Sequence, residues 1–166
     1  MRRTVSAALL ACLLAVSAAT LSADSRPALS GQVAGIELCP QFICGFALFV
    51  GQFEGELNSR DASGGFAGAI THEPLPEVFG TAAITGGSWT IKANRRLIQG
   101  DVVGGAIFNI DGTRYCVEMQ MDITDGGRGQ LHFTGLLDHN PFPPTVGGLV
   151  TQDYVGCAAF LASLPS

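Results

Sequence analysis

Two short segments carry the side chains most able to do chemistry, because each joins an imidazole to a carboxylate and soon meets a proline. An imidazole beside a carboxylate can transfer protons, and the two together can hold a metal ion. The alternative interpretation is structural, since polar side chains at a strand end before a proline commonly cap a turn. The candidate catalytic residues are His72, Glu73, Asp138 and His139.

Trp89 and Asn140 are the candidate binding residues. Asn140 follows His139 in the second polar segment, and Trp89 is the only tryptophan. Gly87-Ser88-Trp89 is similar to the Gly-x-Trp motif that opens avidin-type and lipocalin barrels, but it lies in the middle of this chain. No ligand residues are therefore carried over from those families, and the indole either fills a core or offers a stacking surface.

The elements that position these residues have the alternation of a β protein. Between positions 113 and 123 the odd positions from 115 onward are apolar and the even ones are mostly polar, which is the period of a strand with one buried face. Comparable patterns separated by turn residues predict strands at 33–39, 43–57, 64–72, 82–92, 97–110, 113–123, 130–138 and 145–152, with a short closing segment near 154–161.

Short connections between these strands make neighbours antiparallel and place alternate loops at the same end of the sheet. The loops after 72, 110 and 138 then share one end, which gathers the two polar segments into a rim. Eight or nine strands in one small domain must also manage their edges. The predicted fold is all-β, a single antiparallel barrel, with a two-layer β-sandwich as the alternative.

One hairpin gives a specific register. Asp111-Gly112 predicts a two-residue turn, and counting outward from it sets Asp101 against Asp122. Because like charges directly opposed are unfavourable, we expect a bulge at Gly104-Gly105 that separates them.

The first 23 residues predict a signal peptide. Arg2 and Arg3 precede an apolar run, and Leu21-Ser22-Ala23 offers a small-residue cleavage site. We expect a flexible lead-in at 24–32, a single β domain at 33–166, and a secreted or periplasmic protein without stable membrane insertion after cleavage. Lipoprotein processing at Cys12 and an uncleaved anchor are the alternatives.

Four cysteines remain after the leader is removed. They are Cys39, Cys44, Cys116 and Cys157. An even number in an oxidising compartment predicts two disulfides, and the short spacing favours pairing Cys39 with Cys44, which leaves Cys116 to reach Cys157. A four-cysteine zinc site is the alternative, and its wider spacing makes it less suitable.

Composition limits the partners. Lys92 is the only lysine, and the formal net charge is −5, which argues against nucleic acid because phosphate contacts need clustered Lys and Arg. Charged residues make up 14% of the chain, against about 25% in an average protein. A weakly charged surface favours association, so an envelope polymer or a second copy of the chain is an expected partner beside a small molecule.

The sequence therefore predicts a secreted, disulfide-bonded β domain with a binding or assembly role. The first alternative is an enzyme that uses the rim of imidazoles and carboxylates on a small molecule or a saccharide. The second is a structural subunit of a cell-envelope layer. No residue pattern points to a cofactor or assigns a metal, and binding is favoured over catalysis.

Overall fold

The chain forms a closed barrel of eight antiparallel strands in sequence order, with β1 beside β8, in a computed structural model that describes residues 28–76 and 79–165. This confirms the predicted barrel and rules out the sandwich. The strands are β1 Leu29–Cys39, β2 Ala47–Leu57, β3 Asp61–His72, β4 Thr81–Ala93, β5 Arg96–Asn109, β6 Arg114–Asp125, β7 Gly129–Asp138 and β8 Thr145–Thr151, and two helices, α1 Gln41–Cys44 and α2 Cys157–Ser163, complete the described chain.

The two ends of the barrel differ. At one end Leu29, Ile98 and Leu131 have no exposed surface, so side chains fill the interior; we call this the packed end. The other end carries α1 and the loops that follow β3, β5 and β7, and we call it the open end. The up-and-down strand order thus places the loops after 72, 110 and 138 together, as predicted.

Inward-facing glycines make room for aromatic rings. Gly35 lies opposite Gly51 in the pairing of β1 with β2. A Cβ on Gly51 would lie 2.5 Å from Cε1 of Phe66 and 2.2 Å from the carbonyl oxygen of Ala34. The Phe66 ring therefore occupies the volume that a side chain at position 51 would need.

The strand boundaries differ from the sequence expectation at β1 and β2. β1 begins at Leu29, so the last four residues of the predicted lead-in 24–32 belong to a strand. The reason is that Leu29 is buried at the packed end of the barrel. β2 begins at Ala47 rather than 43, because residues 41–44 form α1, which ends at Gly45 with a φ of 78°. The predicted signal peptide lies outside the described residues.

The closing segment predicted near 154–161 forms no strand; instead α2 begins at Cys157 within it, so the strand prediction was wrong. Cys157 and Phe160 are one turn apart on α2, and both are buried against the outside of the barrel. Glu118 accepts hydrogen bonds from the backbone N–H of Cys157 and, at 2.7 Å, from the hydroxyl of Tyr154. The bond to Glu118 raises the pKa of Tyr154 above its usual value.

The register of the β5–β6 hairpin also differs from the prediction. Phe108 pairs with Cys116, the bulge lies at Val103, and Asp101 does face Asp122. The two-residue turn is wrong because Asp111 instead accepts hydrogen bonds from the next residues of a wider turn, including both the backbone and the side chain of Arg114. These bonds hold the pKa of Asp111 well below its usual range.

Both disulfides are as predicted. Cys39 is bonded to Cys44 and Cys116 to Cys157, and such bonds indicate an oxidising, extracytoplasmic environment. The first closes α1 onto β1, and the second attaches α2 to β6. Within residues 28–76 and 79–165, no helix is long and apolar enough to cross a membrane.

Candidate ligand-binding site

A cavity of about 550 Å³ opens at the open end of the barrel. Its walls are the inward-facing apolar side chains of five strands, namely Ala47, Phe49, Ile70, Ile107, Val117 and Leu137. Its polar lining comes from the strand ends and from α1, namely Glu37, Gln41, His72, Tyr115 and His139. The cavity therefore has an apolar body below a polar mouth.

Glu37 and His139 form the central polar contact of this mouth. Oε2 of Glu37 lies 3.1 Å from Nε2 of His139, and the two side chains are 3% and 27% exposed. Their geometry is not that of a hydrogen bond, and neither atom has another hydrogen-bond partner within the part of the chain that the structure describes. Both atoms therefore keep unused hydrogen-bonding capacity at the cavity wall.

The loops of the open end fix this pair in place. The backbone N–H of Glu37 donates to the carbonyl of Pro144, and that of His139 donates to the carbonyl of Thr113, each at 2.9 Å. The Tyr115 ring packs at a tilt against His139, with centroids 5.3 Å apart, and its hydroxyl donates to the Gly112 carbonyl at 2.9 Å. The imidazole is held by its backbone on one side and by an anchored ring on the other.

Gln41 ties α1 across the mouth to the end of β3. Its Oε1 accepts from the backbone N–H of His72 at 2.8 Å, and its Nε2 donates to the carbonyl of His72 at 2.7 Å. The ring of His72 places Nδ1 2.6 Å from the carbonyl oxygen of Glu73. Because a carbonyl can only accept, Nδ1 carries a proton and Nε2 of the neutral ring is an acceptor.

The loop after β3 folds over the same opening. Leu75 packs against the barrel core and lines the cavity together with Pro74. Nδ2 of the buried Asn109 donates to the carbonyl of Pro76 at 2.7 Å, while its Oδ1 accepts from the N–H of Gly112. Asn109 thus joins the loops after β3 and β5 beside the cavity.

The four predicted catalytic residues divide into two pairs. His72 and His139 line the cavity. Glu73 instead accepts from the backbone N–H of Ala83 at 3.1 Å, and Asp138 accepts from the backbone and side-chain nitrogens of Asn140, each at 2.8 Å. Glu73 therefore bonds to the backbone of β4, and Asp138 and Asn140 cap a turn. No group of three His, Cys, Asp or Glu side chains in residues 28–76 and 79–165 is placed to hold a metal ion.

Trp89 faces the barrel interior and is 5% exposed. It lines a second, smaller cavity of about 50 Å³ that also contacts Phe49, Ile70, Val117 and Leu137, which are walls of the larger one. Its Nε1 has no hydrogen-bond partner among the described residues. The indole thus lies in the core, deeper in the barrel than the mouth.

Glu37 is the functional candidate that the sequence reasoning missed. Glu37 lies on the inward-facing side of β1, two positions after Gly35 and four after Val33. An acidic residue at an inward position is the signal that could have found it. The inward glycines of β1 hide this signal because they carry no apolar side chain to mark the alternation.

Large apolar side chains are exposed on the loops and on α1 at the open end. Ile43 is 68% exposed, Phe79 75% and Phe142 98%. They follow β1, β3 and β7 respectively, so three separate connections bring apolar surface to the end where the cavity opens. Comparison with known proteins adds no further assignment: no protein-family model, no curated protein and no solved structure matches this chain.

Proposed function

We propose that this protein is an exported binding protein that holds a small molecule with an apolar body in the cavity at the open end of the barrel. The observation that carries the proposal is the cavity of about 550 Å³. Sites for small molecules commonly measure about 300–1,000 Å³, with mostly apolar walls and a few polar groups that orient the ligand. This cavity combines both features.

The surroundings of the cavity support an apolar ligand. The exposed side chains of Ile43, Phe79 and Phe142 give the open end an apolar surface, and such surface commonly marks a site of interaction. The inward methionines Met119 and Met121 line the smaller cavity beneath, and flexible thioether side chains adapt to irregular ligands. A ligand can therefore approach over apolar loops and enter an adaptable interior.

The proposed export rests on the leader and on the disulfides. Residues 1–23 have the charged start, apolar run and small-residue end of a signal peptide, and the two disulfides suit an oxidising compartment. We expect the exported protein to begin at Asp24. Intact-mass measurement of the protein recovered from outside the cytoplasm tests this, and retention of residues 1–23 would contradict it.

Binding of 1-decanol, a neutral probe with an apolar chain, tests the proposed cavity by calorimetry. Ala47 is 2% exposed and lines the cavity, so Ala47→Phe fills the site. We expect it to weaken decanol binding by about tenfold or more, since each buried methylene group of a displaced ligand is worth about 0.8 kcal/mol.

Ala83→Phe is the matched control, because Ala83 is exposed on the outer face of β4, next to the inward-facing Ala82. It makes the same chemical change outside the barrel and should leave decanol binding unchanged. Equal effects of the two substitutions, or no binding of any ten-carbon probe, neutral or charged, by the unmodified protein, would overturn the proposed function.

A further inference from the structure

The polar mouth of the cavity contains a buried carboxyl group with an oxygen that completes no hydrogen bond among the described residues. The Glu37 side chain is 3% exposed, and its Oε2 has no hydrogen-bond partner within the described ranges. Burial of an ionised carboxylate is costly unless the group is paired and hydrogen-bonded. The side chain lines the cavity, so a ligand in the cavity can supply the missing partner.

We infer that the molecule held in this cavity carries a protonated amine, which Glu37 receives. The inference rests on the proposed function and specifies its ligand. An ammonium group brings a positive charge and three hydrogen-bond donors. One of these donors can bond to Oε2 of Glu37, which has no donor partner among the described residues. A carboxylate or phosphate headgroup would instead place a second negative charge beside Glu37.

The charges around the site favour a cation. Of the described residues that line the cavity, none is Lys or Arg. The imidazole of His139 lies beside the Glu37 carboxylate, so the pair is neutral when the imidazole is protonated and carries a charge of −1 when it is not. In neither state does the pair offer net positive charge to an anion.

Aromatic rings and the overall charge act in the same direction. Phe49 and Tyr115 line the cavity, and the faces of such rings attract cations. The chain has a formal net charge of −5, which raises the local concentration of cations. The apolar walls then hold the remainder of an amphipathic amine.

Three probes of equal chain length test the inference: decylamine, 1-decanol and decanoate. Binding to the disulfide-bonded protein is measured by calorimetry at about pH 8, where an ordinary imidazole is mostly neutral. We expect decylamine to bind about tenfold or more tightly than decanol, because a hydrogen bond to a charged group is worth more than one between neutral groups. Decanoate should bind most weakly.

Glu37→Gln assigns the preference to its residue. This variant should lose the advantage of decylamine and keep its affinity for decanol. Glu54→Gln is the matched control, because Glu54 is exposed on the outer face of β2 and the substitution removes the same charge. It should leave the order of the three probes unchanged.

An NMR titration of the unmodified protein gives a second measurement that does not depend on a variant folding. Decylamine should shift the side-chain resonances of His139 and Tyr115. It should not shift those of His132, which packs edge-on against Tyr154 on the outside of the barrel with centroids 5.7 Å apart.

The outcomes separate the two proposals. If none of the three probes binds, the proposed function fails and the amine inference fails with it. If decanol or decanoate binds as tightly as decylamine, the cavity binds ligands and only the amine inference fails. If Glu37→Gln prefers decylamine over decanol as strongly as the unmodified protein does, the assignment to Glu37 is wrong. It is also wrong if decylamine shifts the side-chain resonances of His132 instead of those of His139.

Discussion

Glu37 Oε2 and His139 Nε2 lie 3.1 Å apart at the open end of the barrel, and neither atom completes a hydrogen bond within the described chain. The contact joins a buried acid on β1 to an imidazole at the end of β7. Because the two residues come from strands separated by β8, their alignment depends on barrel closure through the pairing of β1 with β8. The closed sheet thus brings these two side chains together.

The first prediction concerns the energetic coupling of this pair. His139→Ala removes the group nearest to the buried Glu37 carboxylate and should lower the free energy of unfolding by about 1–3 kcal/mol. Adding Glu37→Gln removes the uncompensated charge and should restore part of that loss. Urea unfolding of both single variants and of the double variant measures the coupling.

A double variant as unstable as His139→Ala alone would contradict this prediction. The loss would then arise from the packing of the imidazole against the Tyr115 ring, whose centroid lies 5.3 Å away. Tyr115→Phe is the control, because it keeps the ring and removes only the hydroxyl bond to Gly112.

The second prediction compares the two disulfides. Cys116 and Cys157 are 41 residues apart and Cys39 and Cys44 only 5, so the longer loop restricts the unfolded chain more. Replacing both members of a pair by Ala should cost about 4 kcal/mol for the long loop and about 2 kcal/mol for the short one on the chain-entropy model. Denaturant unfolding of the two double variants tests the order.

The short disulfide should affect binding more than its stability cost suggests. It closes α1, whose Gln41 is bonded to the backbone of His72 across the mouth. We expect Cys39→Ala with Cys44→Ala to weaken decanol binding more than the Cys116 and Cys157 pair does. The opposite order would show that α1 does not shape the cavity.

The third prediction tests the close packing of the interior. Gly51→Ala places a Cβ 2.2 Å from the carbonyl oxygen of Ala34 and 2.5 Å from the Phe66 ring, and should destabilise the barrel by about 1–3 kcal/mol. Gly65→Ala is the control, because its Cβ would meet only the carbonyl oxygen of Gly51, at 3.6 Å. Thermal unfolding of both variants measures the difference, and equal melting temperatures would contradict it.

The barrel could be predicted because large apolar side chains mark the inward-facing positions of β4 to β8. Val117, Met121 and Ile123 face inward and are buried, so their spacing alone specifies a half-buried strand. The four cysteines beyond the predicted signal peptide allowed the disulfide pairing to be predicted, since only the short spacing of Cys39 and Cys44 suits a single turn.

The candidate site was predicted only in part, because the loops obey other rules. The strand order places His72 and His139 at one end, but Glu73 accepts a hydrogen bond from the backbone of β4 and Asp138 from the backbone of its own turn. Glu37 entered the site from β1, where glycine occupies the inward positions 31 and 35 and conceals the period. Local hydrogen bonding and small inward residues are thus where the pattern of apolar side chains stops being informative.

The last prediction concerns alkaline pH and the attachment of α2. The hydrogen bond from Tyr154 to Glu118 raises the pKa of the phenol, so the folded protein holds this proton more tightly than the unfolded chain. The resulting stabilisation is complete below the ordinary tyrosine pKa of about 10 and is lost as pH rises through the raised value of the folded state.

Tyr154→Phe should remove this alkaline component and leave the rest of the profile unchanged. Urea midpoints of the unmodified protein and the variant, measured at about pH 8 and about pH 11, should therefore converge at the higher pH. Hydrogen exchange of the amides in α2 should accelerate over the same interval in the unmodified protein only. Parallel profiles of the two proteins would show that the bond from Tyr154 to Glu118 does not hold α2 against the barrel, and the Cys116–Cys157 disulfide would then account for its attachment.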